Sequence, residues 1–199
     1  MNSVQNDRPA SGKVIWSVTM SLDGFIAGPD DAMDWVFDSA GPNPVVDAII
    51  ESTGAVLAGR RSYDVGRKAQ RPEMREVFGG GWSGPQFVLT HRSHEPDPTN
   101  TFLSGDIRQA VATALAAAAG KNVNVIGADI ARQCIEAGLV DEIVVLVAPI
   151  LLGDGVRLFQ GKGIGPVALE PTRLSRSGAV MNLWYRVVPA SRGNSRKSR

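Results

Sequence analysis

The sequence predicts an α/β domain, and three observations carry that expectation. Short apolar runs alternate with segments of helical period, the pattern of strand-helix-strand units. The run EIVVLVAPI (142–150) is apolar without alternation, as a strand covered on both faces requires. The chain then closes on two alternating segments within 167–188, joined at Ser177-Gly178, a hairpin signal that sets an antiparallel pair against the preceding units.

Taken in order, KVIWSVTM (13–20) reads as a strand and PVVDAIIES (44–52) as a short helix ending at Gly54. AVLAG (55–59) and QFVLT (86–90) are compact interior strands. Asp106 can cap a helix whose Ile107, Val111, Ala114, Leu115 and Ala118 share one face, with Gly120 at its expected C-terminal turn. VNVIG (123–127) is a strand, and Ala128 to Ala137 a helix stopped by Gly138. Residues 1–12 and 189–199 are polar and are expected to be disordered, which leaves one domain over 13–188.

At 199 residues, with 43% hydrophobic and 21% charged residues, the chain can bury one core unaided. A formal charge of +1 gives no overall attraction to nucleic acid or membrane, and the longest strongly apolar run is about half a bilayer span. One cysteine, Cys134, excludes an internal disulfide, and the N-terminus lacks a secretory pattern, so a cytoplasmic location is expected. His91, His94 and Cys134 are the only soft ligands and do not fall on one helix face, so no metal site is expected. Gly79 to Gly84 spells G-x-G-x-x-G, but Pro85 and a strand follow it where a phosphate-receiving helix should. Gly155 to Lys162 is one residue too long for a phosphate loop, and Gly163 stands where a magnesium-binding hydroxyl belongs.

Three strand ends do carry chemistry. Gly59 is followed by Arg60, Arg61 and Ser62, Thr90 by His91 and Arg92, and Gly127 by Ala128, Asp129 and Ile130 at a helix start. Glycine lets backbone approach a ligand, a helix N-terminus offers free N–H groups, and arginine grips phosphate through a planar fork. Three such exits suit a long polyphosphate across the carboxyl edge of the sheet, and the arginines favour the extra phosphate of NADPH.

These residues, together with MSLDGFIA (20–27), VLTHR, VIGADIA and the segment Leu139-Val-Asp-Glu142…Pro149-x-x-x-Gly153-x-Gly155, resemble the dihydrofolate-reductase-like superfamily. Within it the match is to the reductase domain of the bifunctional riboflavin-biosynthesis deaminase/reductase and its stand-alone relatives. The resemblance implies a dihydrofolate-reductase-like, mixed and mostly parallel sheet flanked by helices, with a C-terminal antiparallel hairpin, bound NADPH and a homodimer. It assigns Gly59 to Ser62 to the cofactor phosphates, Thr90 and Arg92 to the 2′-phosphate region, and Gly127 to Ile130 to the pyrophosphate. Gly127-Ala128 replaces a Gly-Gly common in the family. It also suggests that Ile26 and Ala27 pack on the nicotinamide, that Ser21 and Trp35 contact substrate, and that Asp23 is catalytic, holding a substrate group or aiding proton delivery. The zinc deaminase motif H-x-E…P-C-x-x-C is absent, which confines the expected role to reduction.

The implied activity resembles that of 5-amino-6-(5-phosphoribosylamino)uracil reductase. Arg67, Lys68, Arg71 and Arg157 are the cations available for its substrate phosphate. The alternatives are a dihydrofolate-type pteridine reductase, with Asp47, Glu51 or Asn43 on the first helix facing the substrate, and a non-catalytic nucleotide sensor on the same fold.

Overall fold

β-Branched and aromatic residues concentrate in the central strands of the computed structural model, which describes residues 12–38, 41–161 and 165–189. The tails expected to be disordered at 1–11 and 190–199 lie outside the described residues, while Gly12 packs its backbone against Lys121. In chain order the elements are β1 (Val14–Ser21), β2 (Phe25–Ala27), α1 (Asp34–Asp38), α2 (Pro44–Ser52), β3 (Thr53–Gly59), α3 (Arg60–Lys68), β4 (Gln86–Leu89) and β5 (Asn100–Leu103). They continue with α4 (Ile107–Ala117), β6 (Asn122–Ile126), α5 (Ala128–Glu136), β7 (Glu142–Ala148), β8 (Val156–Arg157), β9 (Leu169–Ser177) and β10 (Val180–Val187).

Eight strands form one sheet in the order β5-β4-β3-β6-β1-β7-β10-β9, and β2 pairs with β8 in a small separate ribbon. β10 runs antiparallel to β7 and to β9, and the other pairings of the large sheet are parallel. The expected mixed α/β sheet with its C-terminal hairpin is therefore present. Its turn residues are Gly178 and Ala179, because Ser177 already pairs with Val180. β7 stops at Ala148, just before Pro149, which has no N–H to donate to a ladder.

The helices cover the sheet on both faces. On one, α4 and α5 bury Val111, Ala114, Ile130 and Cys134 against Val14, Trp16, Leu57 and Val125. Cys134 is wholly enclosed, and burial pushes its thiol up to about 12. On the other, α2 lays Val45 and Ile49 on Ile15 and Val144. α3 shares that second face, since its Tyr63 meets Phe102 edge-on and Phe102 stands beside Val88 on the side opposite Phe87. Each such large side chain contributes about 1.5–3 kcal/mol by leaving water. The capping expectation holds at Asp106, which accepts from the backbone N–H groups of Arg108 and Gln109; Asn43 likewise caps α2 by accepting from that of Val45.

Candidate active site

The connection after β3 leads through α3 to β4, while the connection after β6 leads through α5 to β7 on the opposite side. α3 and α5 lie on opposite faces, so the chain parts between the carboxyl ends of β3 and β6. A crevice opens at such a switch point. Gly59 ends one strand and Gly127 follows the other. A Cβ on Gly59 would sit 2.8 Å from Ile130 Cγ1, and one on Gly127, whose φ is +104°, would sit 2.5 Å from Ser62 Oγ. Backbone and helix N-termini thus form a cradle that any side chain would fill.

The crevice belongs to one continuous cleft of about 2320 Å³ that runs over the second face of the sheet. Single-ligand pockets occupy about 300–1,000 Å³, so the space suits two ligands end to end. Every residue assigned to the cofactor lines it: Ile26, Ala27, Gly59 to Ser62, Thr90, Arg92 and Gly127 to Ile130. Their engagements differ. Arg60 donates from Nε to Asp64 (2.8 Å) and from Nη1 to the Ser93 carbonyl (2.9 Å). Arg61 pairs with Asp31 at 2.7 Å, and Asp129 is held by Arg132 and Gln133, both at 2.7 Å. Although burial opposes it, those two donors keep the Asp129 carboxyl below its ordinary range. Thr90 Oγ1 accepts from the Arg92 N–H at 3.1 Å, and the exposed Arg92 guanidinium has no carboxylate partner among the described residues.

Beyond the crevice the cleft changes character. Its floor carries Ser17, Thr19, Leu146 and Ala148, and its walls carry Met33, Val36, Phe37, Val46, Met74 and Phe78. The hairpin tip closes this end through a polar cluster. Asn43 Nδ2 donates to Asn182 Oδ1 at 2.8 Å, and Ser177 Oγ donates to Asn43 Oδ1 at 3.0 Å. Asn43 lines the cleft, whereas Asp47 and Glu51 do not, so the wall formed by α2 offers an amide and no carboxylate.

Asp23, Ser21 and Trp35 are placed differently from the sequence reading: they are not among the lining residues. Ser21 is fully buried, donates to Asp23 Oδ1 at 2.6 Å and accepts from the Phe25 N–H at 2.9 Å. The Asp23 carboxylate also accepts from the N–H groups of Leu152 (3.1 Å) and Gly153 (2.7 Å). The Ser21 hydroxyl, then those backbone donors, hold its carboxyl down at about 2. Its oxygens are occupied in tying the exit of β1 to the loop after β7. Trp35 is buried in α1 with its ring N–H on the Ala32 carbonyl, while its neighbours Met33, Val36 and Phe37 face the cleft.

This tie predicts a pH signature. A carboxyl lowered from 3.8 to about 2 stabilises the fold fully above about pH 4 and loses that contribution as pH falls towards 2. Asp23→Asn should lower the melting temperature at neutral pH and flatten its decline between pH 4 and 2. Superimposable melting curves for the two proteins across that range would remove the tie.

Residues 12–183 match the sequence model of the RibD C-terminal domain. The chain belongs to that family. A relative in Bacillus subtilis (strain 168), the uncharacterized protein YyaP, is 28% identical over 180 residues, covering 87% of this chain and 94% of the relative. Among solved structures, a putative riboflavin biosynthesis protein from Shewanella sp. PV-4 superimposes with a TM-score of 0.71 at 24% identity, covering 88% of this chain and 99% of that one. Dihydrofolate reductase from Enterococcus faecalis, complexed with NADP(H), shares the fold at a TM-score of 0.55 and 12% identity, with 89% of this chain and 97% of that one covered.

Membership in the RibD C-terminal family fits the local structure of the motif at 139–155. Asp141 accepts from the Val14 N–H at 2.8 Å, and Glu142 binds Lys13 at 2.5 Å and the Trp184 ring N–H at 2.8 Å. Gly155 presses on the backbone of Ala27 and Gly28. The motif therefore knits β1, β7, β10 and the β2–β8 ribbon together and supplies the cleft with its frame. Sequence reasoning missed the apolar wall formed by Val36, Phe37, Val46 and Phe78. The alternation of Val36-Phe37 with acidic neighbours, in a segment too short for a periodicity, was its only trace.

Proposed function

We propose that the protein is an NADPH-dependent reductase that transfers hydride to a small heterocyclic acceptor, similar in reaction type to the riboflavin-biosynthesis reductases. The observation that carries this reading is the pairing of Gly59 and Gly127 at one switch-point crevice, with the N-termini of α3 and α5 leading away to opposite faces. That cradle fits a pyrophosphate, which takes hydrogen bonds from free backbone N–H groups and needs close backbone approach. Ser62 supplies a hydroxyl at the same place.

When bound, the reduced nicotinamide supplies a hydride, and one proton from water completes the two-electron reduction. The chain's own part is positioning. Ile26 and Ala27, both buried on β2, offer an apolar edge to a flat ring, and Leu146 and Ala148 continue it across the floor. Arg92, with no carboxylate partner among the described residues and next to Thr90, suits the 2′-phosphate that distinguishes NADPH from NADH. The absence of a wall carboxylate on α2 argues against protonation of a pteridine from that helix.

The test is calorimetric. NADPH should bind to the purified protein and raise its melting temperature, and Arg92→Ala should weaken NADPH by about tenfold or more while leaving NADH nearly unchanged, since a hydrogen bond to a charged group contributes about 1.5–3 kcal/mol. Equal losses for the two would take Arg92 out of the 2′-phosphate role. Binding of NADPH with no oxidation in the presence of pyrimidine or pteridine acceptors would instead favour a nucleotide sensor.

A further inference from the structure

We infer, resting on that reductase reading, that the acceptor end of the cleft takes an uncharged, flat heterocycle and is not built for a substrate phosphate. The first observation is the lining: Met33, Val36, Phe37, Val46, Met74 and Phe78 face the space above Leu146 and Ala148. A dianionic phosphate held there would lose its water with no buried cation to match it, which is unfavourable unless a paired and hydrogen-bonded charge waits for it.

The second observation is the state of the cations around that end. The Arg71 fork is consumed by Glu73 (3.0 Å), Asp38 (3.1 Å) and the Asp34 carbonyl, and its plane lies over Phe37 at 5.3 Å. Arg71 is not among the lining residues, nor is Lys68. Arg61 faces Asp31, and Arg67 lies 3.6 Å from the Asp97 carboxylate. Arg75 and Arg157 do line the cleft, but both are exposed and keep their charge in water: Arg75 donates to the Ala69 carbonyl, and Arg157 lies over the Phe25 ring at 4.6 Å. Glu73 and Glu76 line the same end and would repel an anion.

The third observation is what the site offers instead. The polar groups spaced along the apolar slot are neutral: Asn43 and Ser177 at the hairpin tip bond each other and Asn182, Ser17 exchanges hydrogen bonds with Asn124, and the Thr19 hydroxyl on the floor has no side-chain partner among the described residues. The Thr19 hydroxyl and the remaining Asn43 Nδ2 hydrogen can read ring carbonyl and ring N–H groups of a flat ligand, which must also stack closely on a nicotinamide to receive hydride.

The experiment compares a matched pair on the full chain preloaded with NADPH: 5-amino-6-(ribosylamino)uracil and its 5′-phosphate, titrated calorimetrically and then assayed for NADPH oxidation. The uncharged member should bind at least about tenfold more tightly and show the higher kcat/KM. Phe37→Ala should weaken the uncharged ligand without altering NADPH affinity, and Arg75→Ala or Arg157→Ala should leave the ratio between the two ligands unchanged. Equal or tighter binding of the phosphate, a selective loss of it in either arginine variant, or no binding of either ligand overturns the inference. If NADPH itself fails to bind while the uncharged pyrimidine still binds in preference, the reductase reading falls and the ligand assignment stands.

Discussion

Gly127→Ala is expected to reduce NADPH affinity at least about a hundredfold. Two effects combine. A backbone held at φ +104° and ψ 140° is one that L side chains rarely adopt, which costs about 1–3 kcal/mol. The new methyl group would also stand 2.5 Å from Ser62 Oγ, in the space proposed for the pyrophosphate. The melting temperature of the free protein should fall as well, by roughly 2–4 °C per kcal/mol for a domain of this size. A second substitution separates the effects: adding Ser62→Gly removes the steric partner but leaves the backbone strain, so it should restore part of the stability and little of the affinity. A Gly127→Ala protein that binds NADPH as well as the unaltered chain would show that the crevice is not the cofactor site.

The largest effect on stability is expected at Gly155. Its φ is +134°, and a Cβ there would lie 2.1 Å from the Ala27 carbonyl oxygen and 2.8 Å from two backbone atoms of Gly28. No rotamer change relieves a contact with backbone, so Gly155→Ala must push β8 away from β2. Backbone strain of about 1–3 kcal/mol and an overpacking cost of about 1–3 kcal/mol add to roughly 2–6 kcal/mol. Calorimetry should record a melting temperature lower by about 4–24 °C. Limited proteolysis should find new cleavage in the segment that follows Ala27. Unchanged melting and unchanged digestion would mean that the ribbon accommodates the methyl group, and that Gly155 does not fix the cleft's rim.

Much of the sheet was legible because its strands are apolar runs closed by glycine, and because α4 carries both a capping Asp106 and a single apolar face. β5 escaped notice: NTFL has one strongly apolar pair and an edge position, so burial imposes no alternation on it. β2 and β8 are too short for any period, and their pairing depends on a contact between residues 25–27 and 156–157 that no local pattern encodes. The residues named at the strand exits line one cleft, and their positions were legible because glycine and arginine there announce their geometry locally. The acceptor side was not. Asp23 was expected to act on the substrate, yet its partners are Ser21 and, about 130 positions away, Leu152 and Gly153. Trp35 was expected to contact the substrate, but one turn of helix directs its neighbours to the cleft and its own ring to the interior.

The enclosure of Cys134 has a practical meaning. With its sulfur inside the layer between α5 and the sheet, and its proton held far above neutral pH, the lone thiol is inert towards alkylating reagents for as long as the molecule stays shut. Its labelling rate therefore acts as a clock for excursions that open the interior, readable by mass spectrometry without any engineered probe, and a ligand that clamps the two halves of the layer together should slow that clock.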